Sequence, residues 1–152
     1  MRSDDKTMIY EPINESHLPE LVEMYAEAFN APPWNDNWTA ETAAKRLRQM
    51  INCDGFMGLA CYKDAVPSGM ILGNIEHYFD STHFHIKEFC VRQSLRGTGA
   101  GTQLLKEFET RLKTHGVGKI YLITSRTEET ETFYLKKGYN GENNMVVMGK
   151  SL

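Results

Sequence analysis

Cysteine is scarce in this chain: Cys53, Cys61 and Cys90 are the only three in 152 residues. They are odd in number and lack metal-ligand spacing, so they read as buried thiols of a reduced cytoplasm. Long apolar runs are missing too. No stretch is long enough to span a bilayer, and Met1-Arg2-Ser3-Asp4-Asp5-Lys6 has no apolar h-region, so no membrane or secretory role is expected. Basic blocks are also lacking. Seventeen Lys and Arg stand against twenty Asp and Glu, a net charge of −3, which argues against nucleic acid as a partner. There is no internal repeat, low-complexity tract or interdomain linker. The length fits one domain over residues 1–152, large enough to bury about two-thirds of its unfolded surface.

The most informative segment is Arg96-Gly97-Thr98-Gly99-Ala100-Gly101-Thr102. It follows a strand-like stretch, Phe84 to Val91, and opens a helix-like one. Glycines there permit positive φ and close approach of a ligand to the main chain. The first turn of the helix then offers unpaired N–H groups at a positive dipole end, which suits phosphates. A Walker A loop needs a Gly-Lys-Ser/Thr ending that is absent here. The dinucleotide fingerprint fails because Thr102 stands at its third glycine, and Thr124, Ser125 and Arg126 replace its acidic residue.

Elsewhere the elements alternate. A strand is expected over residues 7–11, then a helix from Ser16 with Leu18, Leu21, Val22, Tyr25 and Phe29 at helical spacing. The Ala31-Pro32-Pro33-Trp34 turn ends it. Thr39 caps a second helix whose apolar face is Ala43, Leu47, Met50 and Ile51. Strands follow over 56–62, 69–79 and 82–91, with turns at 63–68 and at Asp80-Ser81. After the glycine loop, Leu104, Leu105, Phe108 and Leu112 form one stripe, and Gly116 and Gly118 end the helix. A buried strand over 119–124 leads to a helix over 128–137 stopped by Gly138, and a last strand is expected over 144–148. Period-two alternation places Glu88 on one face with Phe84, Ile86 and Cys90.

Arg96, Gly99 and Gly101 satisfy Arg-x-x-Gly-x-Gly, and Phe133-Tyr134-Leu135-Lys136-Lys137-Gly138-Tyr139 lies some forty residues on. Together these motifs resemble the acetyl-CoA loop and the Phe-Tyr-x-Lys-x-Gly-Phe segment of the GNAT N-acetyltransferase superfamily, at that family's order and spacing. They span residues 88–139, about a third of the chain. The resemblance implies an α/β (α+β) fold: a mixed, mostly antiparallel central sheet flanked by helices, in the order β-α-α-β-β-β-α-β-α-β. It implies acetyl-CoA as cosubstrate, held through Arg96, Gly97, Thr98, Gly99, Ala100, Gly101 and Thr102, with no metal. A main-chain N–H among Phe89, Cys90 and Val91 would meet the thioester carbonyl. Tyr134 would be the proton donor to the leaving sulfur. The family often has asparagine where Thr127 stands, alanine at Thr130 and proline at Gln93; Thr127 can still hydrogen-bond the pantetheine side.

Acetyl transfer to an amine needs a neutral nucleophile, since an alkylammonium titrates near a lysine's value of ~10. Glu88 is the candidate base or amine-binding group, because a carboxylate among apolar neighbours is costly without a partner or a task. The strand Ile86-Lys87-Glu88 is similar to the acidic strand of polyamine acetyltransferases, but Lys87 replaces the second acid. His85 is a spare base. His77, His83 and His85 read as polar-face residues, not metal ligands. Trp34, Asp36 and Trp38 lie in a loop that walls the acceptor site in the superfamily and suits a cationic acceptor.

The expectation is a cytoplasmic N-acetyltransferase acting on a primary amine of a small molecule, of aminoglycoside or polyamine type, by direct attack in a ternary complex. A protein or peptide amine and a non-catalytic acyl-CoA sensor are the alternatives, with a nucleotide-phosphate binder as a third class. The family admits a homodimer. The acceptor, the oligomeric state and a preference for a longer acyl chain are not legible from the sequence.

Overall fold

The structure, a computed structural model, describes residues 8–152. These form two compact units, divided between Leu122 and Ile123. The first holds a five-stranded sheet in sequential order: β1 (Ile9–Pro12), β2 (Phe56–Lys63), β3 (Val66–His77), β4 (Thr82–Val91) and β5 (Lys119–Leu122). β1 to β4 pair antiparallel and β4 to β5 pair parallel. Helices α1 (Leu18–Asn30), α2 (Ala40–Ile51) and α3 (Ala100–Thr114) belong to the same unit. The expected mixed, mostly antiparallel α+β architecture is what the chain adopts, with Thr7 of the first strand outside the described residues.

Each helix follows from its local sequence. α1 is entered through a short 3-10 turn at Glu15–His17 whose Asn14 side chain accepts from Ser16 N. Thr39 caps α2 reciprocally with Thr42: each side chain accepts from the other's main-chain N–H, at 3.1 and 2.9 Å. α3 starts at Gly99, in the left-handed region, with no side-chain cap. Its Leu104, Leu105, Phe108 and Leu112 are buried, each contributing about 1.5–3 kcal/mol relative to exposure.

The sheet has two apolar faces. One carries α1 and α2, with Leu21, Met24, Tyr25 and Leu47 packed on Ala60, Met70, Leu72 and Cys90. Cross-strand partners share a face, so Ile71, opposite Phe89, and Leu59, opposite Ile71, lie on the other. That face takes α3, whose Phe108 ring meets Phe84 edge-on at 5.2 Å.

Three expectations need correction. The β2–β3 turn is two residues, Asp64 and Ala65, both at positive φ, so the strands run further into it than composition suggested. β4 does not keep one alternation: Leu72 pairs with Glu88 but the adjacent Gly73 pairs with Ile86, so Lys87 is an extra residue in a bulge. Leu72 and Cys90 belong to the α1–α2 face, so the bulge puts Glu88 with Cys90 there, whereas Phe84 and Ile86 face α3. Gly73 permits this, since a Cβ on it would lie 1.8 Å from the His85 carbonyl oxygen.

The third correction concerns the second unit, Ile123–Leu152. It contains α4 (Glu128–Leu135), after which Gly138 turns at φ 89. Residues 144–148 are not a strand. Met145, Val146, Val147 and Met148 are exposed, and this unit contains no other strand to pair with, so its alternating apolar residues have no ladder to join.

Candidate active site

The glycine loop forms the entry to α3. Gly97 and Gly99 hold φ of 79° and 88°, and nothing lies within 4 Å of where a Cβ on either would sit. Conformation, and not crowding, requires glycine there. Thr98 closes the loop by donating its hydroxyl to the Leu95 carbonyl at 2.6 Å. The first main-chain bond into α3 runs from Gln103 N to Gly99 O. Ala100, Gly101 and Thr102 therefore have no intrahelical acceptor for their N–H groups, and Gly99 supplies no capping side chain. A cluster of open donors in an uncrowded loop fits a diphosphate.

Arg96 does something other than face an anion. Its guanidinium donates to the Ala28 carbonyl at 3.0 Å and the Pro32 carbonyl at 2.7 Å, and its carbon lies 5.1 Å from the Trp34 ring centroid. It ties the loop to the C-terminal end of α1, where unpaired carbonyls favour a cation.

β4 runs from the bulge toward this loop. Its last pair with β5 is Ile86 with Leu122, so Phe89, Cys90 and Val91 lie beyond the end of that ladder. Cys90 is buried, and burial pushes its thiol well above the usual range.

Beside them stands Glu88, its side chain 12% exposed. Its Oε1 accepts from the Tyr25 hydroxyl and from Arg46 Nε, both at 3.1 Å. Tyr25 is held in turn by Phe29, 4.7 Å away, and by the Trp38 ring edge at 5.0 Å. Burial raises the Glu88 carboxyl above its ordinary value; Arg46 and the Tyr25 bond oppose this, and Asp36 adds to it. The folded chain thus keeps this proton to a higher pH than the unfolded chain does. Stability from this group is full in acid and falls as pH rises from the ordinary carboxylate value to the raised one. Glu88→Gln, which cannot ionise, should therefore gain Tm on the wild type across that interval. A pH-independent Tm difference would contradict the shift.

Trp38 exchanges two hydrogen bonds with Asn30, from its N–H at 2.7 Å and to its carbonyl at 2.9 Å. Its indole N–H donates to Asp36 at 3.0 Å, and Trp34 packs edge-on against Phe29. Further along β4, His85 stacks on Tyr121 at 4.4 Å, whose hydroxyl donates to Glu76 at 2.6 Å. Burial lowers the His85 pKa; Glu76 opposes this, and Lys87 and Arg46 add to it.

Of the predicted residues, the first unit brings together Glu88, Asp36, Trp38, Trp34 and the loop. Tyr25 and Arg46 were missed. Arg46 sits on the α2 stripe between Ala43 and Met50, and a lone arginine on an apolar stripe was the available signal. In the second unit Thr127 is the N-cap of α4, accepting from Thr130 N at 3.2 Å and donating to Thr130 Oγ1 at 2.8 Å. The two threonines that depart from the family's pattern thus satisfy each other. Tyr134 packs edge-on with Phe133 and Tyr139, and burial alone pushes its hydroxyl to about 12.

Among the described residues no helix is long and apolar enough to cross a membrane. No group of three metal-binding side chains occurs among them either.

This combination of sheet and loop is that of an acyltransferase domain. A family model, the acetyltransferase (GNAT) domain, matches residues 20–149. The chain belongs to that family. No curated protein sequence matches it. Among solved structures, an integron cassette protein from the mobile metagenome of V. cholerae has a TM-score of 0.80 at 19% identity, over 95% of this chain and 92% of that one. The aminoglycoside acetyltransferase meta-AAC0020 from an uncultured soil metagenomic sample, in complex with sisomicin, has 0.75 at 14% identity, over 97% and 98%. AAC(6')-Iy in complex with a CoA-based bisubstrate analogue has 0.72 at 15% identity, over 96% and 99%. At these identities the likeness is one of fold.

Proposed function

We propose that this protein transfers the acetyl group of acetyl-CoA to a primary amine on a small molecule. The observation that carries the reading is Glu88. It is a largely buried carboxylate, fixed through one oxygen by Tyr25 and Arg46, immediately before Phe89, Cys90 and Val91, on the strand that leads into the open loop. Family membership supports the donor. The small-molecule acceptor is supported by analogy with the sisomicin complex.

Acetyl-CoA would be held at its diphosphate by the N–H groups of Ala100, Gly101 and Thr102, with Gly97 and Gly99 keeping the approach clear. It supplies an acyl carbon already activated as a thioester. Glu88 binds the acceptor ammonium and takes its proton, directly or through water, with His85 as the spare base. The neutral nitrogen forms its bond to the carbonyl carbon while the carbon–sulfur bond breaks. A main-chain N–H of Phe89 to Val91 steadies the charge on the carbonyl oxygen. The thiolate leaves with a proton from Tyr134. The nitrogen's second proton, lost as the amide forms, returns to the tyrosinate through water, and Glu88 gives its proton to solvent. Ammonium and thioester thus become amide, thiol and one released proton. The motif carries the Tyr134 assignment. Cytoplasmic placement belongs to the same reading and is supported by three unpaired cysteines.

Thiol release from acetyl-CoA across a panel of amines tests the reading. Saturable binding of acetyl-CoA without turnover on any amine would favour an acyl-CoA sensor instead. Tyr134→Phe should lower turnover by about 10²–10⁴-fold with acetyl-CoA affinity unchanged in calorimetry. A variant as fast as wild type would remove Tyr134 from the chemistry.

A further inference from the structure

The ion pair at Glu88 is built in an unusual way. Arginine and carboxylate commonly meet fork to fork, through two parallel bonds. Here Arg46 uses only Nε, and it shares Glu88 Oε1 with the Tyr25 hydroxyl. The second carboxylate oxygen, Oε2, and both Nη groups of Arg46 take no hydrogen bond among the described residues. They are also not sealed away. Among those residues the only fully buried side-chain nitrogen or oxygen without a partner is Asn74 Oδ1, so neither Oε2 nor the Nη groups are completely enclosed. The Arg46 side chain as a whole is 38% exposed. An open acceptor and an open donor fork therefore belong to one ion pair, joined through Nε and Oε1. Asp36 lies close enough to act on Glu88, so carboxylates gather at one end of the pair and the guanidinium stands at the other.

We propose that this opened pair recognises a zwitterion. Glu88 Oε2 takes the amine to be acetylated, and the Nη fork of Arg46 takes a carboxylate on the same acceptor, as in an α-amino acid. The inference rests on the acetyltransferase reading of this site and narrows its acceptor class. A polycation would satisfy Glu88 but would bring a like charge against Arg46 and leave the fork unpaired once water is displaced. An amino acid satisfies both ends and adds no net charge to a pair that is itself neutral. Arg46 thereby becomes the residue that sets specificity, and a planar fork suits a carboxylate better than an ammonium would.

The test is thiol release from acetyl-CoA with the common L-amino acids, the same compounds as carboxamides, and spermidine. The best amino acid should exceed its own amide in kcat/KM by at least tenfold. Arg46→Gln should collapse that ratio toward one, and Arg46→Lys, which keeps the charge without the fork, should leave it between. The ratio is read within each variant, so a general loss of activity from disturbing Glu88 does not obscure it. Amides or spermidine used as well as the acids, or a ratio unmoved by Arg46→Gln, would overturn the inference and leave the acetyltransferase reading standing. No acetylation of any amino acid would overturn the inference alone; binding of acetyl-CoA with no acetylation of these compounds or of any other amine, aminoglycosides included, would overturn both.

Discussion

Gly99→Asp is expected to weaken acetyl-CoA binding severely while leaving the fold close to its original stability. Position 99 has φ 88° and open space around it, and aspartate is among the few residues that tolerate this region. The strain costs about 1–2 kcal/mol. A carboxylate at a helix N-terminus returns ~0.3–1 kcal/mol of that through the dipole. The same carboxylate would sit against the N–H groups of Ala100, Gly101 and Thr102, where it competes with and repels a diphosphate. Calorimetry should show Kd weakened by at least ~100-fold, about 2.7 kcal/mol. Gly116→Asp is the control. That glycine has φ 84° and equally open surroundings, but it follows the C-terminal end of α3. It should show comparable strain and an unchanged Kd. If Gly99→Asp binds acetyl-CoA as tightly as wild type, the loop is a helix start and nothing more.

Gly73→Val should be the most destabilising single change in the sheet. A Cβ at this position would meet three main-chain atoms: His85 O at 1.8 Å, His85 C at 2.9 Å and Ile86 Cα at 3.1 Å. No rotamer relieves a backbone collision, so β3 and β4 must part at the bulge. A loss of about 3–5 kcal/mol is expected, and for a chain of this size each kcal/mol lowers Tm by roughly 2–4 °C. Gly101→Ala is the contrast. Its Cβ would find only ordinary contacts at 3.7 Å, to the Phe89 and Val91 side chains, and should leave Tm nearly unchanged. Equal melting of Gly73→Val and wild type would mean that the bulge does not depend on this glycine.

The bulge also marks where reading the sequence stops. The helices were legible because their apolar residues recur at helical spacing between recognisable ends: Thr39 before α2, Gly116 after α3 and Gly138 after α4. Strand existence was legible for a similar reason. What period-two counting cannot register is an inserted residue, and Lys87 has no feature that marks it as one. The available sign was Gly73, an isolated glycine within a strand pattern on the opposite strand. Missing it grouped Glu88 on one face with Phe84 and Ile86 as well as Cys90, when the bulge leaves only Cys90 beside it. Its partners Tyr25 and Arg46 come from 63 and 42 residues away, and long-range pairing of a tyrosine on an apolar stripe is not a local signal. The strand expected over 144–148 failed differently. Its alternation is real, but alternation describes a surface and does not supply a neighbouring strand.

Arg96 gives the first unit a property that a list of contacts does not express. Its main chain belongs to the glycine loop, while its guanidinium is fastened to Ala28 and Pro32 and covers Trp34. The two proposed binding regions therefore share one mechanical joint. If acetyl-CoA steadies the loop, it also steadies the aromatic wall on the acceptor side. Linkage is reciprocal: whatever factor the first ligand lends to the affinity of the second, the second must return to the first. Two substrates meeting here would bind with positive cooperativity, and that cooperativity would be routed through a single arginine.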